Sequence, residues 1–213
     1  ELAAVAKIIV ERDLMVISDE IYAELTYGGQ HCAAATLPGM RERTVTVSGF
    51  SKAFAMTGWR LGYVAAPKEL IDCMLKVHQY AIMCAPGVSQ YAALAALTSG
   101  KADNYATIAD MRDKYDLRRR YLVTEFRAMG LETFEPKGAF YVFPSVASTG
   151  MTGDEFAEKL LYAKRVAVVP GSAFGPSGTY FIRCSYATGM KSLELAVARI
   201  REFLSELGAS QTK

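Results

Sequence analysis

The stretch SGFSKAFAMTGWRLGY, residues 48–63, sets one lysine, Lys52, among small and apolar residues and follows it eight positions later with Arg60. Phe50, Ala53, Phe54, Ala55 and Met56 would line an exposed surface poorly, so the amine either snorkels from a strand end or is held for use. An amine that condenses with an aldehyde such as pyridoxal 5'-phosphate must be neutral, and a crowded apolar setting favours that form. Local sequence leaves both readings open. Arg60 supports the second, because a guanidinium fork matches phosphate oxygens two at a time and an ammonium does not. Ser51 could add a hydroxyl. Gly58 and Gly62 could let the backbone turn tightly or approach a ligand, or could serve packing alone.

Working outward, TVTVS at 44–48, LMVIS at 14–18 and LGYVAAP at 61–67 read as short strands separated by helices or loops, not tight hairpins. This pattern predicts an α/β sheet with parallel strands. The first strand ends at Asp19, at the edge where open α/β sheets bind ligands. A carboxylate there could keep a pyridine nitrogen protonated, so that the ring draws electrons from a bond at the substrate's α-carbon. Tyr22 could bond the ring's phenolic oxygen. The alternative is that Asp19 caps the next turn and Tyr22 packs.

Helical spacing returns at 68–82 and again in VSQYAALAALTSG, with Gly100 as the expected stop. A long helix from about Asn104 to Met129, closed by Gly130, could link two domains, 1–103 and 104–213. Beyond it, LETFEP, GAFYVFP, RVAVVPG and TYFIRCSYA are strand-like and alternate with helices at 153–164 and 192–207, a small α+β domain. Thr152 and Glu155 form a capping-box pattern at the first of these helices. The tail GASQTK is expected to fray. Arg183 lies within the apolar, aromatic TYFIRCSYA, where an unpaired charge is costly. Its anionic partner would be a protein carboxylate or the α-carboxylate of an amino-acid substrate.

Lys plus Arg number 24 against 22 Asp plus Glu, with the basic residues scattered apart from Arg118–Arg120, so no nucleic-acid footprint is indicated. Cys32, Cys73, Cys84 and Cys184 lie far apart beside apolar or small neighbours, as buried thiols do, which suggests a reducing compartment. The histidines, His31 and His78, complete no zinc pattern, so a metal is not expected. The most apolar window, 81–97, is interrupted by Pro86 and Gly87 and is too short to span a bilayer. The opening ELAAVAKIIVERD has Leu2, Val5, Ile8 and Ile9 at helical spacing and no initiator Met. It reads as the middle of a helix, and the chain as a piece of something longer.

Together these segments resemble the class I/II aminotransferases, the fold-type-I pyridoxal-phosphate enzymes, over nearly the whole chain. The family signature of a small residue, an apolar residue, a small residue and Lys, with Arg eight positions later, fits GFSKAFAMTGWRLG throughout, and SDEIY, GAFYVFP, VPGSAFG and FIRCSYA follow in family order. The resemblance implies an aspartate aminotransferase-like fold in part: the carboxyl-terminal half of the large α/β domain, then the small α+β domain. It implies that Lys52 forms the Schiff base and moves the substrate proton, that Asp19 pairs with the pyridine nitrogen and Tyr22 with the 3'-oxygen, that Ser51 and Arg60 hold the phosphate, and that Arg183 clamps the substrate carboxylate. Gly49 stands where many relatives have a phosphate-binding serine, so Ser48 or a backbone amide would substitute. The implied activity is amino transfer from an L-amino acid to a 2-oxo acid by a cytoplasmic homodimer, with this chain alone poorly active. The alternatives are a β-lyase or synthase on the same scaffold, and a ligand-sensing domain of a regulator.

Overall fold

In the computed structural model, which describes residues 1–211, the chain divides into two compact units, Glu1–Arg112 and Asp113–Lys213.

The first unit opens with helix α1, Leu2–Glu11, followed by strands β1, Val16–Asp19, β2, Thr44–Gly49, and β3, Gly62–Ala65. β1 and β2 pair in parallel, from Val16↔Thr44 to Asp19↔Val47. β3 instead runs antiparallel to β2, from Thr46↔Ala65 to Gly49↔Gly62. The all-parallel expectation therefore fails at β3. Parallel neighbours need a crossover, usually a helix, to carry the chain back to the starting edge. Residues 50–61 form only a turn and the short 3-10 stretch Thr57–Trp59, so the chain re-enters the sheet from the edge at which it left.

Helices α2, Lys68–Ala81, and α3, Gly87–Ala102, follow. Gly100 does not stop α3, which runs on to Ala102 and ends where Asn104 and Tyr105 take left-handed conformations, φ 54° and 57°. The glycine has another purpose: a Cβ there would lie 2.5 Å from Tyr105 Cδ1, so its bare face is the seat of that ring. One core cluster of this unit joins Phe50, Met56 and Ala93, with Phe54, Leu61, Ala92 and Ala96 packed against it. α2 buries none of its residues, and Leu75, Val77 and Tyr80 are exposed. The expectation of buried thiols is corrected as well. Cys32, Cys73 and Cys84 are exposed, and only Cys184 is buried, its thiol pushed up to about 12 by desolvation.

Helix α4, Ala106–Ala128, contains the division between the units. It closes at Gly130, φ 79°, where the Gly130 and Leu131 amides donate to the carbonyls of Arg127 and Phe126. In the second unit, strands β4, Tyr141–Val142, β5, Val169–Pro170, and β6, Ile182–Ser185, form an antiparallel sheet in the order β4-β6-β5. Helices α5, Gly153–Lys164, and α6, Met190–Gln211, belong to the same unit. Of the tail GASQTK, expected to fray, residues 208–211 continue α6, and the last two lie outside the described residues. Phe126, Phe156, Leu160, Ile182 and Tyr186 are almost wholly buried. Arg119, also buried, pairs with Asp116 and Glu135 at 2.7 Å and donates to the Pro136 carbonyl, which ties α4 to the segment leading into β4. Among the described residues no helix is long and apolar enough to cross a membrane.

α5 is fixed in two ways by adjacent residues. Thr152 and Glu155 make both hydrogen bonds of a capping box, while Gly153 packs so tightly that a Cβ would sit 2.1 Å from the Phe181 carbonyl oxygen. Thr152→Ala is expected to cost about 1 kcal/mol. Gly153→Ala should cost more, about 1–3 kcal/mol, because backbone and not a side-chain tip must move. Urea midpoints of the two variants check the order, which reverses if the cap matters more than the packing.

Candidate active site

Because β1 and β2 are parallel, their carboxyl-terminal ends, Asp19 and Gly49, lie on one sheet edge, and antiparallel β3 begins there at Gly62. Three chemically distinct groups are thereby brought to that edge: Asp19 closing β1, Lys52 just after β2 and Arg60 just before β3. Tyr22 joins them, with Lys52 Nζ over its ring at 5.9 Å from the centroid. Lys52, Tyr22 and Ser51 are half-buried, whereas Asp19 and Arg60 are exposed.

The connection 50–61 is stiff. The Phe50 amide donates to the Leu61 carbonyl and the Met56 amide to the Phe50 carbonyl, and the Ser89 hydroxyl of α3 donates to the Trp59 carbonyl at 2.7 Å. Phe50 packs on Phe54 and Tyr63, with ring centroids 5.3 and 6.0 Å apart. The apolar sequence neighbours of Lys52 thus anchor its loop to α3. Two non-glycine residues here are left-handed, Ala55 at φ 53° and Arg60 at φ 51°. Such conformations cost energy and cluster at functional sites. Arg60 uses one N–H, from Nη1, on the Thr57 carbonyl at 2.9 Å.

Asp19 Oδ1 accepts from the Ile21 amide at 3.2 Å, so the turn-capping alternative is realised by one of its oxygens. At Gly49 a Cβ would meet Gly62 Cα at 2.9 Å and the Leu61 carbonyl oxygen at 3.0 Å. A serine in that position would crowd the backbone of β3. Ser48, the suggested substitute, donates to the Glu20 carbonyl at 3.3 Å.

Sequence reasoning overlooked Glu20. It is 8% exposed, and its carboxylate accepts from the Ser18 hydroxyl and the Ala34 amide, both at 3.0 Å, and meets His31 Nε2 at 2.9 Å. His31, which completes no zinc pattern, therefore has a carboxylate partner. The available signal was an acidic residue directly after a strand-ending aspartate, with a lone histidine downstream. A cavity of about 740 Å³ opens beside this pair, lined by Phe50, Phe54, Tyr63 and Tyr105 among others, and Lys52, Asp19 and Arg60 do not line it.

Arg183 belongs to the second unit. It is half-buried on β6, with its Cζ 4.5 Å from the Tyr141 ring centroid and 4.6 Å from that of Phe174.

An α/β sheet with a lysine, a carboxylate and an arginine on one edge, joined to a small α+β unit, defines a class that comparison with known proteins identifies. Residues 1–200 match the family model for aminotransferase class I and II. The chain belongs to that family, and its fold is part of the aspartate aminotransferase-like fold of pyridoxal-phosphate-dependent transferases. It is 47% identical to the aspartate aminotransferase of Pyrococcus abyssi, over 97% of this chain and 53% of that protein. It is 43% identical to aromatic-amino-acid aminotransferase 2 of Thermococcus litoralis, with the same coverage. Among solved structures, the aromatic aminotransferase from Pyrococcus horikoshii superposes with a TM-score of 0.92 at 48% identity, over 96% of this chain and 54% of that one. The chain spans about half the length of the curated relatives it matches.

Burial raises the Glu20 carboxyl, but the hydrogen bonds from His31, Ala34 and Ser18 outweigh it and leave the group below its ordinary value. The stability this contributes is present above the unfolded carboxyl's titration and is lost as pH falls through the lower folded value. Thermal midpoints followed from about pH 6 to about pH 3 should fall less steeply in Glu20→Gln than in the parent; parallel curves would show that Glu20 gains nothing from its partners.

Proposed function

We propose that the protein is a pyridoxal-phosphate-dependent aminotransferase that moves the amino group of an L-amino acid to a 2-oxo acid, with Lys52 as its catalytic residue. The observation that carries this reading is the shared sheet edge of Asp19, Lys52 and Arg60 in a chain of this family. The donor set fits the cofactor: an amine for an aldehyde, a carboxylate for a ring nitrogen, a guanidinium and a hydroxyl for a phosphate.

When bound, pyridoxal phosphate supplies an aldehyde that condenses with amines and a protonated ring that withdraws electrons from the substrate's α-carbon. Lys52 would offer its amine to that aldehyde and would serve as general base toward the substrate's α-proton. Asp19 holds the ring nitrogen's proton with the oxygen left over from its turn. Tyr22 donates its hydroxyl to the ring's phenolic oxygen. Ser51 and Arg60 bind the phosphate, Arg60 with the N–H groups it has not given to Thr57. Arg183 binds the substrate carboxylate through its fork, and both L-amino acid and 2-oxo acid present that carboxylate. A carboxylate ligand is named with a related structure, the Thermus thermophilus aspartate aminotransferase with maleate, 39% identical over 94% of this chain. In this reading the remaining groups of the pocket come from chain beyond these residues, in keeping with the coverage of the relatives.

Full-length protein given cofactor and a panel of amino acids should show a change in cofactor absorbance with at least one donor. Lys52→Ala should lower kcat roughly 10²- to 10⁴-fold or more. Full activity in Lys52→Ala, or no spectral change with any amino acid, overturns the reading.

A further inference from the structure

The strand register of the second unit explains what flanks Arg183. Tyr141 on β4 pairs with Ser185 of β6, so Tyr141 is the diagonal neighbour of Arg183 on the same sheet face. Diagonal neighbours in an antiparallel ladder lie about 7–8 Å apart, within reach of long and aromatic side chains. On the other side Arg183 pairs with Val169 of β5, and the chain after β5 enters the 3-10 turn Gly171–Phe174, which ends on the second ring. Both rings approach the same guanidinium carbon, at 4.5 Å for Tyr141 and 4.6 Å for Phe174.

These contacts hold the cation without using its hydrogen-bonding capacity. A guanidinium over a ring face is attracted by the ring quadrupole, while all five of its N–H donors lie in the guanidinium plane and remain available. Among the described residues Arg183 makes no ion pair and no side-chain hydrogen bond; the two rings are its side-chain partners.

The rings are themselves fixed. Phe174 meets Phe143 edge-on at 5.9 Å, and Phe143 stacks on Phe181 at 5.3 Å. The turn bearing Phe174 is tied down by the Gly171 amide on the Phe181 carbonyl at 2.8 Å and by the Ser172 hydroxyl on Asp154 at 2.9 Å. Tyr141 lies against Phe140 at 4.9 Å, and Phe140 against Tyr115 at 5.5 Å. A free arginine must freeze several rotors when it grips a carboxylate, and this one is already held by a braced aromatic frame.

We propose that Tyr141 and Phe174 are positioning residues that set the affinity of the protein for carboxylate substrates, by holding the Arg183 guanidinium between contacts that leave its N–H donors unspent. This inference rests on the reading of Arg183 as the carboxylate clamp. It adds that the clamp's strength is set by ring electrons, not by an anionic neighbour. Removing either ring should weaken carboxylate binding roughly 3- to 30-fold, the range for a cation–π contact between exposed and desolvated settings.

The test uses full-length holoenzyme and maleate as the carboxylate probe, with binding measured by calorimetry and cofactor absorbance recorded in parallel. Phe174→Leu and Tyr141→Leu should each weaken maleate binding by that factor and raise the KM for 2-oxo acid more than they lower kcat, while Tyr141→Phe, which keeps the ring, binds as the parent does. Phenylalanine bearing one, two and then three ring fluorines at position 174 keeps the shape and drains the ring's negative face. Maleate affinity should fall stepwise along that series with the cofactor spectrum unchanged, a response that a merely structural role would not produce. A flat series, or leucine variants that bind maleate normally, overturns the inference. Arg183→Gln separates the two levels: if it leaves maleate binding intact, the clamp reading fails and this inference with it, whereas loss in Arg183→Gln beside a flat fluorine series rejects the aromatic frame alone.

Discussion

The parallel pairing of β1 with β2, in the register that sets Asp19 beside Val47, is the constraint on which the arrangement at the sheet edge depends. A shift by one residue would turn every side chain of β1 to the opposite face and carry Asp19 away from the edge. The return of β3 antiparallel to β2 then matters as much, because the connection that makes this return also carries Lys52 and Arg60. At its neck Gly49 and Gly62 pass with no room for a Cβ, which draws the two ends of the loop together. A separation of eight residues in sequence thus becomes two functional groups on one edge.

The apolar residues around Lys52 serve packing first. Phe50 and Met56 are core residues that seat the loop on α3, and the left-handed Ala55 and Arg60 are tolerated because that seating determines the backbone. Glu20 does the corresponding work on the β1 side. Its carboxylate gathers Ser18, His31 and Ala34, so the turn bearing Asp19 and Tyr22 is tied to the following segment. In the second unit an aromatic frame around Arg183 replaces such a polar hub. In all three places neighbouring contacts fix the segment that carries a charged side chain.

Most strand positions, the long helix, the Thr152 capping box and the family itself were legible in the sequence, because each rests on local periodicity, cap chemistry or a spaced motif; LETFEP, which reads as strand-like, forms an isolated bridge, Thr133↔Pro144, and no strand. The antiparallel turn of β3 was not, since strand direction depends on whether 50–61 forms a helix, and its apolar residues do not reveal that. Gly100 was misread for a related reason: a glycine near a helix end signals a stop, but this one makes space for Tyr105, a contact set by the left-handed turn beyond the helix. Glu20 and His31 were missed because their pairing spans a loop. The apolar company of Cys32, Cys73 and Cys84 suggested burial, yet local composition does not tell which side of an element faces a core.

The central claim is that Lys52, among all the lysines of the protein, is the one that holds the cofactor's aldehyde. The most direct measurement is borohydride reduction of the full-length holoenzyme, which makes the lysine–cofactor bond permanent, followed by proteolysis and mass spectrometry of the labelled peptide. The account predicts a phosphopyridoxyl group on Lys52 within SGFSKAFAMTGWR, and no label on other lysines; label elsewhere, or none on a cofactor-loaded protein, would contradict it.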